Sequence, residues 1–172
     1  MGWCEIYQRL YKTTNYGKAE ANQCPGVRYF PLYKDWLIPN VMDVGCGTGD
    51  TVELMRKHNI SSDGMDWVNI NKNMMVRDIR QEQSLAGYAT ATCIDVLEHV
   101  DSRYIHFVLE NLRRCERAVV TVHCGPAKSH PPHDLHITQW PLDKWDREIK
   151  KTFRIAKGVV LEKNLRKLYW LE

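Results

Sequence analysis

Two short runs in this 172-residue chain hold residues whose type and spacing could do chemistry. In the first, Val41-Met42-Asp43-Val44-Gly45-Cys46-Gly47-Thr48-Gly49-Asp50, an apolar stretch ends at an acid and passes into three glycines at alternate positions. A strand that runs into such a loop and on into a helix presents backbone N–H groups to a ligand. The spacing argues against a dinucleotide fingerprint, G-x-G-x-x-G. Asp50 stands in the third glycine's place, where a carboxylate would repel a pyrophosphate. The run also lacks the Gly-Lys-Ser/Thr of a phosphate-binding P-loop. In the second run, Asp95-Val96-Leu97-Glu98-His99-Val100, the i, i+3, i+4 spacing predicts Asp95, Glu98 and His99 on one side of a helical turn. There His99 could act as a general base toward an acceptor hydroxyl, or Asp95, Glu98 and His99 could bind a divalent metal that acidifies it. A third possibility is architectural: Glu98 and His99 lock the start of a helix and wall a pocket.

The elements that must position these residues follow from hydrophobic period and turn signals. Residues 3–13 read as a helix, with Ile6 and Leu10 at i, i+4. Residues 14–31, punctuated by Asn15, Gly17, Asn22, Pro25, Gly26 and Pro31, read as loop, and residues 33–37 as a short helix closed before Pro39. Strands are expected at 40–44, 62–66, 73–78, 88–95, 118–123, 153–161 and 165–171, the last two joined by Glu162-Lys163-Asn164 as a hairpin. Helices are expected at 50–58 and 142–150. Another begins after Asp101 as N-cap, with Ile105, Val108, Leu109 and Leu112 as its apolar stripe. Alternation of this kind implies an α/β fold, a doubly wound, mostly parallel sheet with helices on both faces, and the terminal hairpin makes one strand antiparallel.

The glycine run resembles the first motif of the class I (seven-stranded, Rossmann-like) S-adenosylmethionine (SAM)-dependent methyltransferases, D-x-G-x-G-x-G, at Asp43, Gly45, Gly47 and Gly49. The resemblance covers residues 33–171. It implies a seven-stranded sheet of order 3-2-1-4-5-7-6, SAM as cofactor and S-adenosylhomocysteine (SAH) as product. The stretch between strands two and three is too short for a full helix. Ligands of open α/β sheets bind beyond the strands' carboxyl ends. At those ends the resemblance places Gly45, Cys46, Gly47 and Gly49 against the cofactor, and Asp66, followed by Trp67, on the ribose hydroxyls. It places Asp78 with Ile79 at the adenine and Asp95 beside the sulfonium. Acids at four strand ends, Asp43, Asp66, Asp78 and Asp95, would repel one another, and the cofactor's sulfonium and ammonium would offset part of that. Residues 1–32 read as an N-terminal helix and lid, from which Arg28, Lys18, Tyr16 or Tyr11 could reach the methionine carboxylate.

On the acceptor side, the run from Asp95 to Val100 is similar to the D-V-L-E-H-V that many small-molecule methyltransferases carry after strand four. Carboxylate-x-x-Glu-His is also the ligand pattern of ubiquinone-pathway O-methyltransferases and of small-RNA 3′-terminal 2′-O-methyltransferases. The latter add a histidine after strand five, and both families carry Glu where this chain has Asp95. Here that region holds His123, His130, His133 and His136, and we take Glu98, His99 and His136 as the candidate catalytic residues. The three-residue intervals from His130 to His136 are not a zinc spacing, and no cysteine pair completes a set, so zinc is not expected. Trp140, Trp145, Tyr104 and Phe107 are candidates for aromatic walls.

Bulk properties narrow the class. The six cysteines are scattered without a C-x-x-C, which suits reduced thiols in a cytoplasmic protein. No apolar run approaches the ~20 residues of a membrane span. The first residues show no signal-peptide pattern, and Ile6 breaks a myristoylation motif. Residues 141–172 hold nine Lys/Arg against five Asp/Glu, which reads as a solvated face or as a surface for an anionic substrate. The Asn/Asp-Pro-Pro-aromatic clamp of base N-methyltransferases is missing, and the chain has no room for a separate recognition domain. Long duplex DNA is therefore not expected. The expected acceptor is a small molecule, sugar, nucleotide or RNA end, methylated on oxygen. The alternatives are a methyltransferase-like module that only docks a partner, and an enzyme that cleaves the sulfonium without an acceptor.

Overall fold

The computed structural model describes residues 3–20, 24–127, 134–162 and 165–172. His130, His133 and the hairpin residues Lys163 and Asn164 lie outside the described residues.

Seven strands form one sheet: β1 (Val41–Val44), β2 (Ser62–Asp66), β3 (Met75–Val76), β4 (Thr90–Ile94), β5 (Arg117–His123), β6 (Ile155–Leu161) and β7 (Arg166–Leu171). Their order is β3-β2-β1-β4-β5-β7-β6, as the family resemblance implies. β1 to β5 pair in parallel, while β7 runs antiparallel to both β5 and β6.

The strands' alternation builds two cores. Met42 and Val44 of β1 point to the face that also holds Ala91, Cys93, Val120 and Tyr169, covered by α4 (Ile105–Leu112) and α5 (Leu142–Ile149). Val41, Val119, Leu168 and Trp170 point to the opposite face, covered by α2 (Pro25–Tyr33) and α3 (Asp50–Lys57). The stripe Ile105, Val108, Leu109 and Leu112 is buried as its spacing predicts. A smaller third cluster seats α1 (Trp3–Thr13): Ile6 and Tyr7 pack on Val68 and Leu135.

Three expectations are corrected. Residues 25–31, expected as loop, begin α2. Proline at the first helical turn costs no hydrogen bond, and Tyr29, Phe30 and Tyr33 supply a buried face that outweighs the breakers. Gly26 has a packing reason, since a Cβ there would lie 2.2 Å from Thr51 Oγ1 of α3. The third strand shrinks from 73–78 to Met75–Val76, because residues 71–74 are spent on a turn in which Asn71 Oδ1 accepts from Asn73 N–H. Asp101 accepts from the N–H of Arg103, but the turn it caps is a 3₁₀ turn, Ser102–Tyr104, placed ahead of α4.

Among the described residues, no helix is long and apolar enough to cross a membrane.

Candidate active site

The carboxyl end of β1 turns sharply into the glycine loop, and the loop is tied to β2. Gly45 and Cys46 both donate their amides to Met65 O, at 2.8 and 3.1 Å. Gly47, at φ +52°, sits in the left-handed region that glycine adopts without strain, and its amide donates to Asp66 Oδ2 at 2.9 Å. The other oxygen, Asp66 Oδ1, accepts from Val68 N–H at 3.0 Å. Burial pushes the Asp66 carboxyl up, and the amide donors pull against it. From the turn between β2 and β3 the side chain of Asn71 donates to Thr48 O, holding the loop's far side.

Two cavities open above these strand ends. The first, about 340 Å³, is lined on one side by Asp66, Trp67, Asp78, Ile79 and Tyr104. The second, about 530 Å³, is lined by Asp43, Cys46, Gly47, Arg28, His123, His136 and Arg166 among others. Tyr11, Tyr16, Gly45, Asp95 and His99 line both, so these five form the wall and passage between them. Each volume falls in the ~300–1,000 Å³ range of small-molecule sites.

Two of the four strand-end acids, Asp78 and Asp95, are paired with arginines, while Asp43 and Asp66 accept only neutral hydrogen bonds among the described residues. Asp78 makes a bidentate pair with Arg80, at 2.9 and 2.8 Å, and that guanidinium holds its carboxyl below the usual range. Arg80 in turn lies over the Trp67 ring at 4.8 Å and near Tyr104 at 5.7 Å. Asp95 pairs with Arg166, Nη2 to Oδ2 at 2.7 Å, with both side chains only 10% exposed. It also accepts from Thr121 Oγ1 at 2.5 Å. Asp43 accepts from Thr92 Oγ1 at 2.6 Å, and burial pushes its carboxyl up to about 7. The sequence reading left this balance to a bound cation; Arg80 and Arg166 supply much of it instead.

Beyond β4 the chain makes a 3₁₀ turn, Leu97–His99, and the predicted trio is corrected there. Asp95, at φ +53°, stands outside that turn, committed to Arg166. The three catalytic candidates are instead brought together: ligand atoms of Glu98, His99 and His136 lie within 4.8 Å of one another. Glu98 is fully buried. Its Oε1 accepts from His123 N–H at 3.1 Å, while Oε2 has no hydrogen-bond partner among the described residues. Burial, reinforced by the nearby Asp95 charge, pushes this carboxyl well up. Burial lowers His99 to about 4, so its ring is neutral near pH 7. His99 Nδ1 lies 2.8 Å from Leu135 O, which can only accept, so Nδ1 carries the proton and Nε2 keeps the lone pair. His136 Nδ1 meets Gly125 O in the same way. A divalent ion fits this donor set. It combines one buried carboxylate oxygen without a partner and two neutral imidazoles whose other nitrogens are braced by carbonyls.

Other sequence candidates scatter. Gly49, at φ +88°, lines neither cavity; it is the hinge into α3, beneath Met74 and Asn71. Lys18 faces a separate groove with Asp50 and Glu53. Trp145 is buried in the core against Trp140, and Phe107 is 57% exposed on α4, so only Tyr104 of the proposed aromatic walls reaches a cavity. Sequence reasoning missed Arg166, Arg80, Asn71 and Tyr7. Arg166 had no local signal, since only the β5–β7 register sets it opposite His123.

Solved structures with this fold include a protein named PH0226 from Pyrococcus horikoshii OT3 (TM-score 0.75, 13% identity, 99% of each chain covered). A second is the Burkholderia thailandensis 1,6-didemethyltoxoflavin-N1-methyltransferase with bound 1,6-didemethyltoxoflavin and SAH (TM-score 0.75, 10% identity, 98% of this chain and 85% of that one). A third is the methyltransferase domain of bacterial CtHen1 (TM-score 0.63, 15% identity, 87% and 98%). At these identities the likeness shows the fold. No curated protein matches the sequence. A family model described as "Methyltransferase domain" matches residues 2–154, nearly the whole length, and the chain therefore belongs to the methyltransferase-domain family.

Proposed function

We propose that this protein transfers the methyl group of SAM to an oxygen of a small molecule, sugar, nucleotide or RNA end. The observation that carries the reading is the position of His99. It stands on the wall shared by the two cavities, backed by Glu98 and His136. Support for the cofactor comes from the glycine loop, the Asp66 carboxylate and the family; solved neighbours such as the Burkholderia enzyme hold SAH.

SAM, when bound, supplies an electrophilic methyl on a sulfonium and leaves a neutral thioether. The chain's residues do the rest. In this reading Asp66 accepts the ribose hydroxyls through its remaining lone pairs, while Trp67, Asp78 and Ile79 receive the adenine. Gly45, Cys46 and Gly47 let the backbone approach the methionine portion. α1 and the turn after it act as a lid: Tyr7, Tyr11 and Tyr16 line the first cavity and exclude water, which favours in-line transfer between positioned groups. The acceptor enters the second cavity. Glu98 Oε2, His99 Nε2 and His136 Nε2 would hold a divalent ion, which would lower the acceptor hydroxyl's pKa. Without a metal, His99 is a poor base while its pKa is near 4, which favours the metal version over the metal-free one.

The test is methyl transfer from radiolabelled SAM to a panel of hydroxyl acceptors, with Mg²⁺, Mn²⁺, Co²⁺ or EDTA. Turnover that EDTA removes and His136→Ala abolishes supports the reading. SAM binding with no transfer to any acceptor favours the partner-docking alternative, and SAM consumption without acceptor favours sulfonium cleavage.

A further inference from the structure

Tyr7 of α1 bonds a member of the Glu98/His99/His136 cluster. Its hydroxyl oxygen lies 2.8 Å from His99 Nδ1, across 92 residues of sequence. Its proton points to Leu135 O at 3.4 Å, the same carbonyl that Nδ1 reaches at 2.8 Å. The three groups close a triangle with one consistent arrangement of protons. Nδ1–H is shared between Leu135 O and the Tyr7 oxygen, and the Tyr7 O–H donates to Leu135 O. The other His99 tautomer would set a bare Nδ1 lone pair against the Leu135 carbonyl. Tyr7 is itself fixed: it is buried, its ring packs on Trp67 at 5.8 Å and Tyr16 at 6.1 Å, and it meets the His99 ring edge-on at 5.8 Å. The residue after Leu135 is His136, so one short segment braces His99 and supplies its neighbour in the cluster.

We propose that Tyr7 is a positioning residue whose hydroxyl fixes the ring orientation and tautomer of His99 for metal binding. The inference rests on the metal version of the proposed function. Groups that orient a metal-binding imidazole from behind are typically worth about 10–100-fold in metal affinity. Because Leu135 O remains when the hydroxyl is lost, the effect belongs at the lower end, about tenfold.

The test is titration of the full-length protein with Co²⁺, followed by its visible absorption, on four forms. These are wild type, Tyr7→Phe, Ile6→Ala and His136→Ala. Tyr7→Phe keeps the ring and removes the hydroxyl. Ile6→Ala loosens the same helix in the same apolar cluster and leaves the Tyr7 hydroxyl in place. The expected result is Co²⁺ binding by wild type that His136→Ala loses. Tyr7→Phe should bind about tenfold more weakly with an altered ligand-field band, and Ile6→Ala should keep the wild-type band. An unchanged affinity and band in Tyr7→Phe would overturn the positioning role while leaving the metal site standing. Equal weakening by Ile6→Ala and Tyr7→Phe would reduce the role to helix docking and overturn it too. No Co²⁺ binding by folded wild type would remove the metal reading and this inference with it.

Discussion

Asp66, at the end of β2, accepts the amide of Gly47 at 2.9 Å, so the acid and the glycine loop are one unit rather than two independent features of the site. The same carboxylate holds Val68 N–H. Asp66→Ala should therefore do two things. It removes the proposed ribose acceptor, weakening SAH at least tenfold, and it orphans two amides, each costing about 1–3 kcal/mol if left unpaired. Calorimetry and urea unfolding on the same sample separate the effects. Full affinity in a destabilised variant would leave Asp66 only a loop brace.

The Arg166–Asp95 pair is nearly enclosed, and its partners come from the two ends of the chain's second half. Removing one member of a buried pair leaves an uncompensated charge, typically at about 3–5 kcal/mol. Arg166→Met should destabilise by about 3 kcal/mol, and adding Asp95→Asn should restore part of it. Additive losses in the double variant would show that the two side chains do not depend on each other.

This pair also marks the limit of what was legible in the sequence. The alternation of strands and helices, the glycine turn and acids at the ends of β1, β2 and β4 followed from local pattern, because apolar period and turn chemistry act over a few residues, while the strand order came from the family resemblance. The grouping of His136 with Glu98 and His99 followed from the family resemblance, whereas the departure of Asp95 from that group did not. The i, i+3, i+4 rule assumes a regular turn, whereas Asp95 adopts φ +53° and Arg166 draws its side chain away. Tyr7 on His99 and Arg80 on Trp67 are likewise products of tertiary packing, and α2 was hidden because its buried aromatic face overrides its prolines.

Asp43 predicts a pH dependence of stability. Its carboxyl is raised to about 7 in the folded protein, against about 3.9 in an unfolded chain. Between those values the folded state keeps a proton that the unfolded state has lost, so Asp43's contribution is full below about pH 4 and is lost as pH rises toward 7. Asn at this position can still accept from Thr92 without titrating. The stability of Asp43→Asn relative to wild type should rise across that window and level off above it. Parallel pH profiles from urea unfolding would contradict the raised value.

Glu98→Gln separates folding from metal binding. The amide oxygen can still accept from His123 N–H, and no ionised group needs to be buried. Its thermal midpoint should equal or exceed that of wild type, while Co²⁺ binding disappears. A large fall in midpoint would mean that the carboxylate is needed for the fold itself.

The central claim, a SAM site built on the glycine loop and Asp66, is tested most directly by calorimetric titration of the folded protein with SAH, with NAD as control. The account predicts micromolar, one-to-one binding of SAH that Asp66→Ala weakens, and no binding of NAD. A folded wild-type sample that takes up no SAH would contradict it.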